Sequence, residues 1–221
     1  MGRPRRQEPR RAHLLAAARR VLERDGLVGL RVREVAAEAG VSPAAVLYYY
    51  PDSFQLSVQA LTQFVQGKAT ENAAVAASVP DPYQRLIELV LLDVPDPLPG
   101  IRRALCEVPA LVAEHPELAE VMAFTLAEQS AVIRAAIEDG ILSGLISPTV
   151  DAELAARAIV GMLRFTDTCR VAGLVPSDEA RRHALAQLHA LIGVEPPVHA
   201  GLVAERRPAA PATPIPSAPR P

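Results

Sequence analysis

Apolar residues recur every three or four positions along most of the chain, which is the spacing of amphipathic helices. Glycine or proline ends each apolar run, and Ser or Asp often precedes the next one, as at helix ends and starts. The predicted helices span residues 7–25, 32–39, 43–50, 53–77, 83–94, 101–115, 117–139, 151–172 and 178–192. Gly26 and Gly140 are the expected stops of the first and seventh helices, Ser53 is the expected cap of the fourth, and Pro109 is expected to bend or break the sixth.

Composition supports an all-α fold. The 221 residues include no Trp and only 4% aromatics, while Ala and Leu dominate, a mixture that favours helices over sheets. Residues 194–221 differ, because eight of these twenty-eight are prolines, and a disordered Pro/Ala-rich tail is predicted there. Every apolar stretch long enough to cross a membrane contains charge, and no signal peptide is evident.

The charge is unevenly distributed. The chain carries a net charge of −2, but residues 1–56 hold ten Arg against six acidic residues, a local excess of +4. Such an asymmetry indicates a polyanionic partner for the N-terminal part. Arginines at 3, 5, 6, 10 and 11 suggest a flexible basic arm over residues 1–9 that lies along DNA, with a solvated tail as the alternative.

Catalytic and metal-binding patterns are missing from the sequence. Cys106 and Cys169 are far apart and neither belongs to a CxxC pair, so neither a disulfide framework nor a zinc site is predicted, and a reducing cytoplasm is the expected compartment. The five histidines are scattered, and no GxSxG, HExxH or phosphate-loop motif occurs. We therefore expect neither a cofactor nor an enzymatic activity.

Residues 32–50, VREVAAEAGVSPAAVLYYY, have the pattern of a helix-turn-helix. Val35 would bury the first helix, Gly40 permits the sharp turn, and Val46 would bury the second helix against the first. The second helix is then free to enter the major groove of DNA.

The exposed positions of this motif are the candidate DNA contacts. Small residues at the start of the second helix let its N-terminus approach DNA, and tyrosine hydroxyls beyond them reach phosphate or base edges. The contacts expected from the residues alone are Arg31, Arg33, Ser42, Pro43, Ala44, Ala45, Tyr48 and Tyr49. Core packing is the alternative for each tyrosine, and it is preferred for Tyr50, one turn after Val46.

Residues 10–56 resemble the DNA-binding head of the tetracycline-repressor (TetR) family of transcriptional regulators. The resemblance lies in Gly26 at the end of the first helix, the string VREVAAEAGVS at 32–42, the aromatic residues 48–50 and Leu56, all in ungapped register. It implies that residues 10–56 form a three-helix DNA-binding head.

Three positions depart from the family pattern. Arg31 stands where the family usually has a Ser or Thr cap, Leu47 where it usually has Tyr, and Ser53 where it usually has Lys. Ser53 is nevertheless retained as a candidate DNA contact. Tyr48 and Tyr49 could replace the aromatic contact, and the N-terminal arginines could supply the charge of the missing lysine.

The resemblance also implies an effector-binding and dimerisation domain over residues 57–193. Helices 151–172 and 178–192 would pair with their counterparts into a homodimer that reads a palindromic double-stranded DNA operator. Both helices contain more apolar residues than a helix with one side in solvent usually has. Occupation of a pocket among the fifth to eighth helices by a small molecule would separate the heads and release the repressor.

A hydrophobic or amphipathic small-molecule effector is expected from the apolar and mildly polar residues in this region. The pocket candidates are Tyr83, Cys106, Met122, Phe124, Thr125, Gln129, Phe165, Thr166 and Cys169. Ordinary core packing is the alternative for each of them. A regulator without a ligand is the main alternative function, activation in place of repression is a third possibility, and an all-helical enzyme is the least favoured.

Overall fold

The computed structural model describes residues 7–194, which form nine α-helices and no strand. The helices are α1 (Gln7–Gly29), α2 (Val32–Ala39), α3 (Pro43–Tyr49), α4 (Ser53–Ser78), α5 (Pro82–Leu92), α6 (Gly100–Leu111), α7 (Glu117–Leu142), α8 (Ala152–Val171) and α9 (Ser177–Ile192). The predicted all-α class and the order of its helices are confirmed.

Two hydrophobic cores hold the helices together. The first joins α1, α2 and α3 through buried side chains such as Leu22 and Val46, and it continues into α4, α6 and the start of α7. The second joins α5, α7, α8 and α9 around side chains such as Ile137, Leu163 and Leu188. The three N-terminal helices thus form a small head that shares its core with the body behind it.

Two predicted helix ends are wrong. Asp52, not Ser53, caps α4, since its Oδ1 accepts a hydrogen bond from the Phe54 amide at 2.9 Å. Gly140 does not stop α7, which runs on to Leu142. A Cβ at Gly140 would lie 2.6 Å from Ile146 Cδ1, so this glycine serves close packing inside the helix rather than its termination.

The first helix is interrupted but not ended at Gly26. There φ is 75° and ψ is −172°, a conformation essentially reserved for glycine, and helical structure resumes as far as Gly29. Behind this break α6 crosses α1 at Gly100, where a Cβ would lie 2.4 Å from the Glu23 carbonyl oxygen. The backbones of the head and the body therefore touch at Gly100.

The remaining boundary predictions concern the chain ends and α6. Pro109 lies inside α6 near its end, where the helix stops at Leu111 rather than at 115. The arm predicted over residues 1–9 is helical from Gln7 onward, so Arg10 and Arg11 belong to α1. Residues 1–6, which are most of the predicted arm, and the predicted tail from 195 onward lie outside the described residues.

Candidate functional site

The helix-turn-helix is built by α2, its turn and α3. Gly40 adopts the left-handed conformation with φ 64°, and its amide and that of Val41 bond back to carbonyls of α2. Val35 and Val46 are fully buried between the two helices and α1. This packing holds α3 with one face against the head and the other face in solvent.

The outward face of α3 contains most of the predicted DNA contacts. Ser42 caps the helix by accepting a hydrogen bond from the Ala45 amide at 3.2 Å, and Pro43 occupies the first turn. Ser42, Pro43, Ala44 and Tyr48 are exposed, as are Arg31, Arg33 and Ser53 near the helix. Leu47, the departure from the family pattern, shares this exposed face with Tyr48.

The three tyrosines have different surroundings. Tyr48 is 69% exposed, whereas Tyr50 is 3% exposed, as the sequence predicted for the core tyrosine. Tyr49 and Ala45 are half-buried, and the Tyr49 ring meets that of Tyr48 edge-on with centroids 5.0 Å apart. Tyr49 packs against the core of the head, so only part of its ring is accessible.

Arginines in the head divide into paired and unpaired groups. Arg20 and Arg24 form ion pairs with Glu38, and their hydrogen bonds lower the pKa of that carboxylate. Arg31 and Arg33 make no ion pair with any of residues 7–194. Positive charge that no protein carboxylate neutralises therefore lies beside the exposed face of α3, where it is available to phosphates.

Arg11 has a structural role as well as its charge. Its Nη2 donates to the Tyr49 carbonyl at 2.9 Å, and its guanidinium lies 5.4 Å from the centre of the Tyr50 ring. A cation at the last turn of α3 also complements the negative end of that helix. Arg11 thus connects α1 to the C-terminal end of α3.

A second feature, in the body, is a cavity between α6, α7 and α8. It is an open cavity of about 530 Å³ when the solvent space at its mouth is included. Its lining is Leu105, Cys106, Pro109, Met122, Thr125, Leu126, Arg164 and Thr168. A narrow adjoining cleft, with a volume of about 10 Å³, extends towards α4 and shares Leu105, Thr125 and Arg164 with the first cavity.

The structure places four of the nine predicted pocket residues on these cavities and five elsewhere. Cys106, Met122 and Thr125 line the first cavity, and Gln129 and Thr125 line the second. The remaining five, which line neither cavity, are Tyr83, Phe124, Phe165, Thr166 and Cys169. Helical periodicity cannot distinguish these groups, because a cavity wall and a packed core have the same spacing.

Tyr83 and Phe165 illustrate the residues found elsewhere. The Tyr83 hydroxyl lies 2.7 Å from His189 Nε2 and joins α5 to α9. Phe165 is 69% exposed on the outer face of α8. The roles assigned to these positions from the sequence stay predictions.

A buried group of charged side chains beside the cavities was missed by the sequence analysis. Arg102 forms ion pairs with Asp93 and with Asp167, the latter at 3.3 Å, and all three side chains are nearly inaccessible. Gln129 Nε2 donates to Asp93 at 2.6 Å. A signal did exist, since Asp167 falls on the buried stripe of α8 set by Ile159 and Leu163.

Arg164 adds a further cation to this group, and its ion pairs with the two aspartates are long. Its guanidinium nitrogens lie 3.5 Å from Asp167 and 3.8 Å from Asp93, contacts that do not make hydrogen bonds. Its Nε and Nη2 are buried, and neither has a hydrogen-bond partner within residues 7–194. Each unsatisfied buried donor costs about 1–3 kcal/mol. Burial accordingly lowers the pKa of Arg164.

The pKa values of the two buried carboxylates move in opposite directions. Burial alone would raise the pKa of Asp93, but Arg102, Arg164 and Lys68 together hold it below its ordinary value. Burial raises the pKa of Asp167 more than Arg102 and Arg164 lower it. Asp93 is therefore the better-compensated carboxylate of the two.

Residues 7–194 contain no cluster of His, Cys, Asp or Glu side chains that could hold a metal ion. None of the helices from α1 to α9 is long and apolar enough to cross a membrane.

Comparison with known proteins agrees with the geometry of the head. Residues 14–53 match the family model described as bacterial regulatory proteins, tetR family. This match covers α2, α3, their turn and most of α1. No curated protein matches the sequence.

Solved structures share the fold over nearly their whole length. A TetR transcription regulator from Haloarcula marismortui ATCC 43049 is 23% identical, with 84% of this chain and 97% of that one covered and a TM-score of 0.72. A regulator from Saccharomonospora viridis in complex with choline is 21% identical, with coverage of 82% and 96% and a TM-score of 0.74. FadR from Bacillus subtilis in complex with stearoyl-CoA is 17% identical, with coverage of 82% and 97% and a TM-score of 0.59.

These identities establish a common fold, and the family model accounts for the head. The family model describes regulatory proteins and not enzymes. The helix-turn-helix head of this chain, over residues 14–53, is thus similar to the DNA-binding domain of bacterial regulatory proteins of the tetR family, and the body behind it has the fold of solved TetR regulators.

Proposed function

We propose that the protein is a dimeric repressor that binds a palindromic operator and is released from it by a small molecule. The observation that carries the DNA-binding part is the exposed face of α3 flanked by the unpaired Arg31 and Arg33. Arg31, Arg33, Ser42 and Ser53 are the phosphate contacts in this proposal, and Pro43, Ala44, Ala45, Tyr48 and Tyr49 face the groove.

Dimerisation through α8 and α9 is supported by an apolar stripe on the outer side of α8. Leu154 and Phe165 are 66% and 69% exposed, and Ala158 and Gly161 lie between them at helical spacing. A Cβ at Gly161 would meet nothing within 4 Å, so the stripe has room for a partner helix. Paired recognition helices would then contact half-sites about one turn of DNA apart.

Ligand release is supported by the cavities in the body. They lie between α4, α6, α7 and α8, and α6 and α4 both pack against the head. A ligand shifts such a regulator only by its differential affinity for the DNA-bound and free states. Two regulators of this fold were solved in complex with choline and with stearoyl-CoA, and this supports a small-molecule site in the body of this protein.

The test begins with selection of bound fragments from the source genome, followed by anisotropy on the enriched site at two salt concentrations. A palindrome bound by two protomers with a steep salt dependence is the expected result. Weak binding without sequence preference would contradict the proposal.

Phe165→Glu tests the dimer in the same assay. We expect this variant to be monomeric by light scattering and to lose operator binding, because a buried charge would oppose pairing. Leu142→Glu is the matched control, since Leu142 is 85% exposed and belongs to the end of α7 rather than to α8. A dimeric Phe165→Glu protein would place the interface elsewhere.

A further inference from the structure

The geometry points to an organic anion as the small molecule: a carboxylate or similar oxyanion head bound by Arg164, with an apolar body in the cavity between α6, α7 and α8. This inference rests on the proposed ligand-responsive function and adds the chemical class of the ligand.

The first argument is the charge balance around Arg164. Within residues 7–194, the buried Arg102 and Arg170 are matched in number by the buried Asp93 and Asp167, and Lys68 forms an ion pair with the exposed Glu71 at 3.3 Å. Arg164, whose side chain is 23% exposed, is the further cation beside these groups. A cation without a matching carboxylate in a largely enclosed site is maintained only at a cost.

The second argument is the identity of the surplus cation. Arg102 bonds to both aspartates, Arg170 donates to the Pro95 carbonyl and to Ser177 Oγ, and Lys68 donates to the Leu92 carbonyl at 3.1 Å. Within the described residues, Nε and Nη2 of Arg164 and Nε and Nη1 of Arg170 are buried without an acceptor, and Arg164 is the one of these two arginines that lines the cavities. Arg164 is therefore the cation that an anion in the cavity would meet.

The third argument is the chemistry of the space beside Arg164. Arg164 lines both cavities, and the larger one is otherwise walled mainly by Leu105, Pro109, Met122 and Leu126. A planar guanidinium binds a carboxylate or phosphate through two parallel hydrogen bonds, whereas it repels an ammonium group. The site thus matches an amphipathic anion and is unsuited to an amphipathic cation of the same size.

Matched probes test this assignment on the full chain. Straight-chain carboxylates of about six to fourteen carbons, the range chosen to span a cavity of this class, are titrated beside the alcohols and trimethylammonium salts of the same lengths, below their micellar concentrations. We expect the best carboxylate to bind at least roughly tenfold more tightly than its alcohol, with no binding of the ammonium salt, because a charge-assisted bidentate pair contributes at least this much. Equal affinities of the carboxylate and the alcohol would overturn the inference.

Variants then locate the charge. Arg164→Gln should lose roughly tenfold or more of the carboxylate affinity while alcohol binding changes little, and Arg164→Lys should recover only part of it because the fork is absent. Arg182→Gln, which removes an exposed α9 arginine paired with Asp178, is the control and should change neither affinity. An unchanged carboxylate preference in Arg164→Gln would refute the role of this side chain.

Melting of the ligand-free protein separates a binding role from a structural one. If Arg164 is an unsatisfied cation, Arg164→Met should melt at the same temperature as the wild type or higher. A variant that no longer folds would show that Arg164 is needed for structure and would overturn the inference. Operator binding by the unliganded wild-type protein is measured separately, so that failure of the regulator proposal is not confused with failure of the anion site.

Discussion

The carboxylate of Glu107 on α6 accepts a hydrogen bond from the Leu27 backbone amide at 3.1 Å. The same oxygen accepts a second bond from the next amide, that of Val28, at 3.2 Å. Both amides begin the short helical segment that follows the break at Gly26, so a side chain of the body caps a helix start in the head. This contact joins the two parts of the protein by a charge-assisted pair of hydrogen bonds.

We expect Glu107→Gln to lower the free energy of unfolding by about 1 kcal/mol, since two charge-assisted bonds become one or two neutral ones at a half-exposed site. Chemical denaturation measures the change. Glu114→Gln removes an exposed carboxylate shortly after α6 and serves as the control, with no expected effect. Equal stability of the two variants would show that the Glu107 cap contributes nothing.

Gly26→Ala should destabilise the protein by about 1–3 kcal/mol, because φ of 75° with ψ of −172° is nearly closed to other residues. A Cβ would also stand 3.4 Å from Glu107 Oε1. Gly67→Ala is the matched control inside α4, where a Cβ meets nothing within 4 Å, and it should stabilise by about 0.5–1 kcal/mol. Opposite signs for the two substitutions in thermal melting are the expected outcome.

Arg33→Gln should weaken operator binding by a similar factor for every sequence and reduce the slope of log affinity against log salt by about 1, as for loss of one phosphate contact. Arg19→Gln is the comparison, because Arg19 is already paired with Glu23 on α1. Anisotropy at several salt concentrations gives both slopes. A slope unchanged in Arg33→Gln would remove this residue from the DNA contacts.

Acidification should reduce stability partly through His189. Burial lowers the pKa of His189 below its ordinary 6.5, so the unfolded chain takes up this proton more readily than the folded protein. Its contribution to stability is therefore complete above pH 6.5 and is lost as the pH falls through the lowered pKa. We expect the melting temperature of His189→Gln to fall less than that of the wild type when the pH is lowered from 7.5 to 5.5.

The exposed His183, on the same helix, supplies the control for that measurement. His183→Gln should retain the wild-type dependence of melting temperature on pH, because the His183 side chain is exposed whereas that of His189 is partly buried against Tyr83. If both variants behave alike, burial of His189 does not contribute to the loss of stability in acid.

The sequence predicted the helices because their buried faces repeat with the helical period, as in α8, where Ile159 and Leu163 lie one turn apart. It predicted the helix-turn-helix because Gly40 and Val46 have roles fixed by local geometry. It misjudged Gly140, since a glycine that ends a helix and one that admits a neighbour such as Ile146 are identical in sequence.

The cavity was the least predictable feature. Its lining combines side chains from α6, α7 and α8, and which of them face empty space depends on how the three helices are placed together. The surplus charge of Arg164 was invisible for a similar reason, because the positions of Asp93 and Asp167 relative to it arise only from tertiary packing.

Gly100 leaves no clearance between α6 and the first helix, since any Cβ there would strike the Glu23 carbonyl and the Arg24 backbone. Gly100 has no side chain that a substitution could shorten, and the atoms opposite it belong to the main chain of α1, which substitution cannot remove. The backbones of α1 and α6 therefore cannot come closer together at this point. A larger residue at position 100 would push α6 away from α1 and so change the angle between the head and the body. The side chains of the outward face of α3 and of the cavity lining would stay the same.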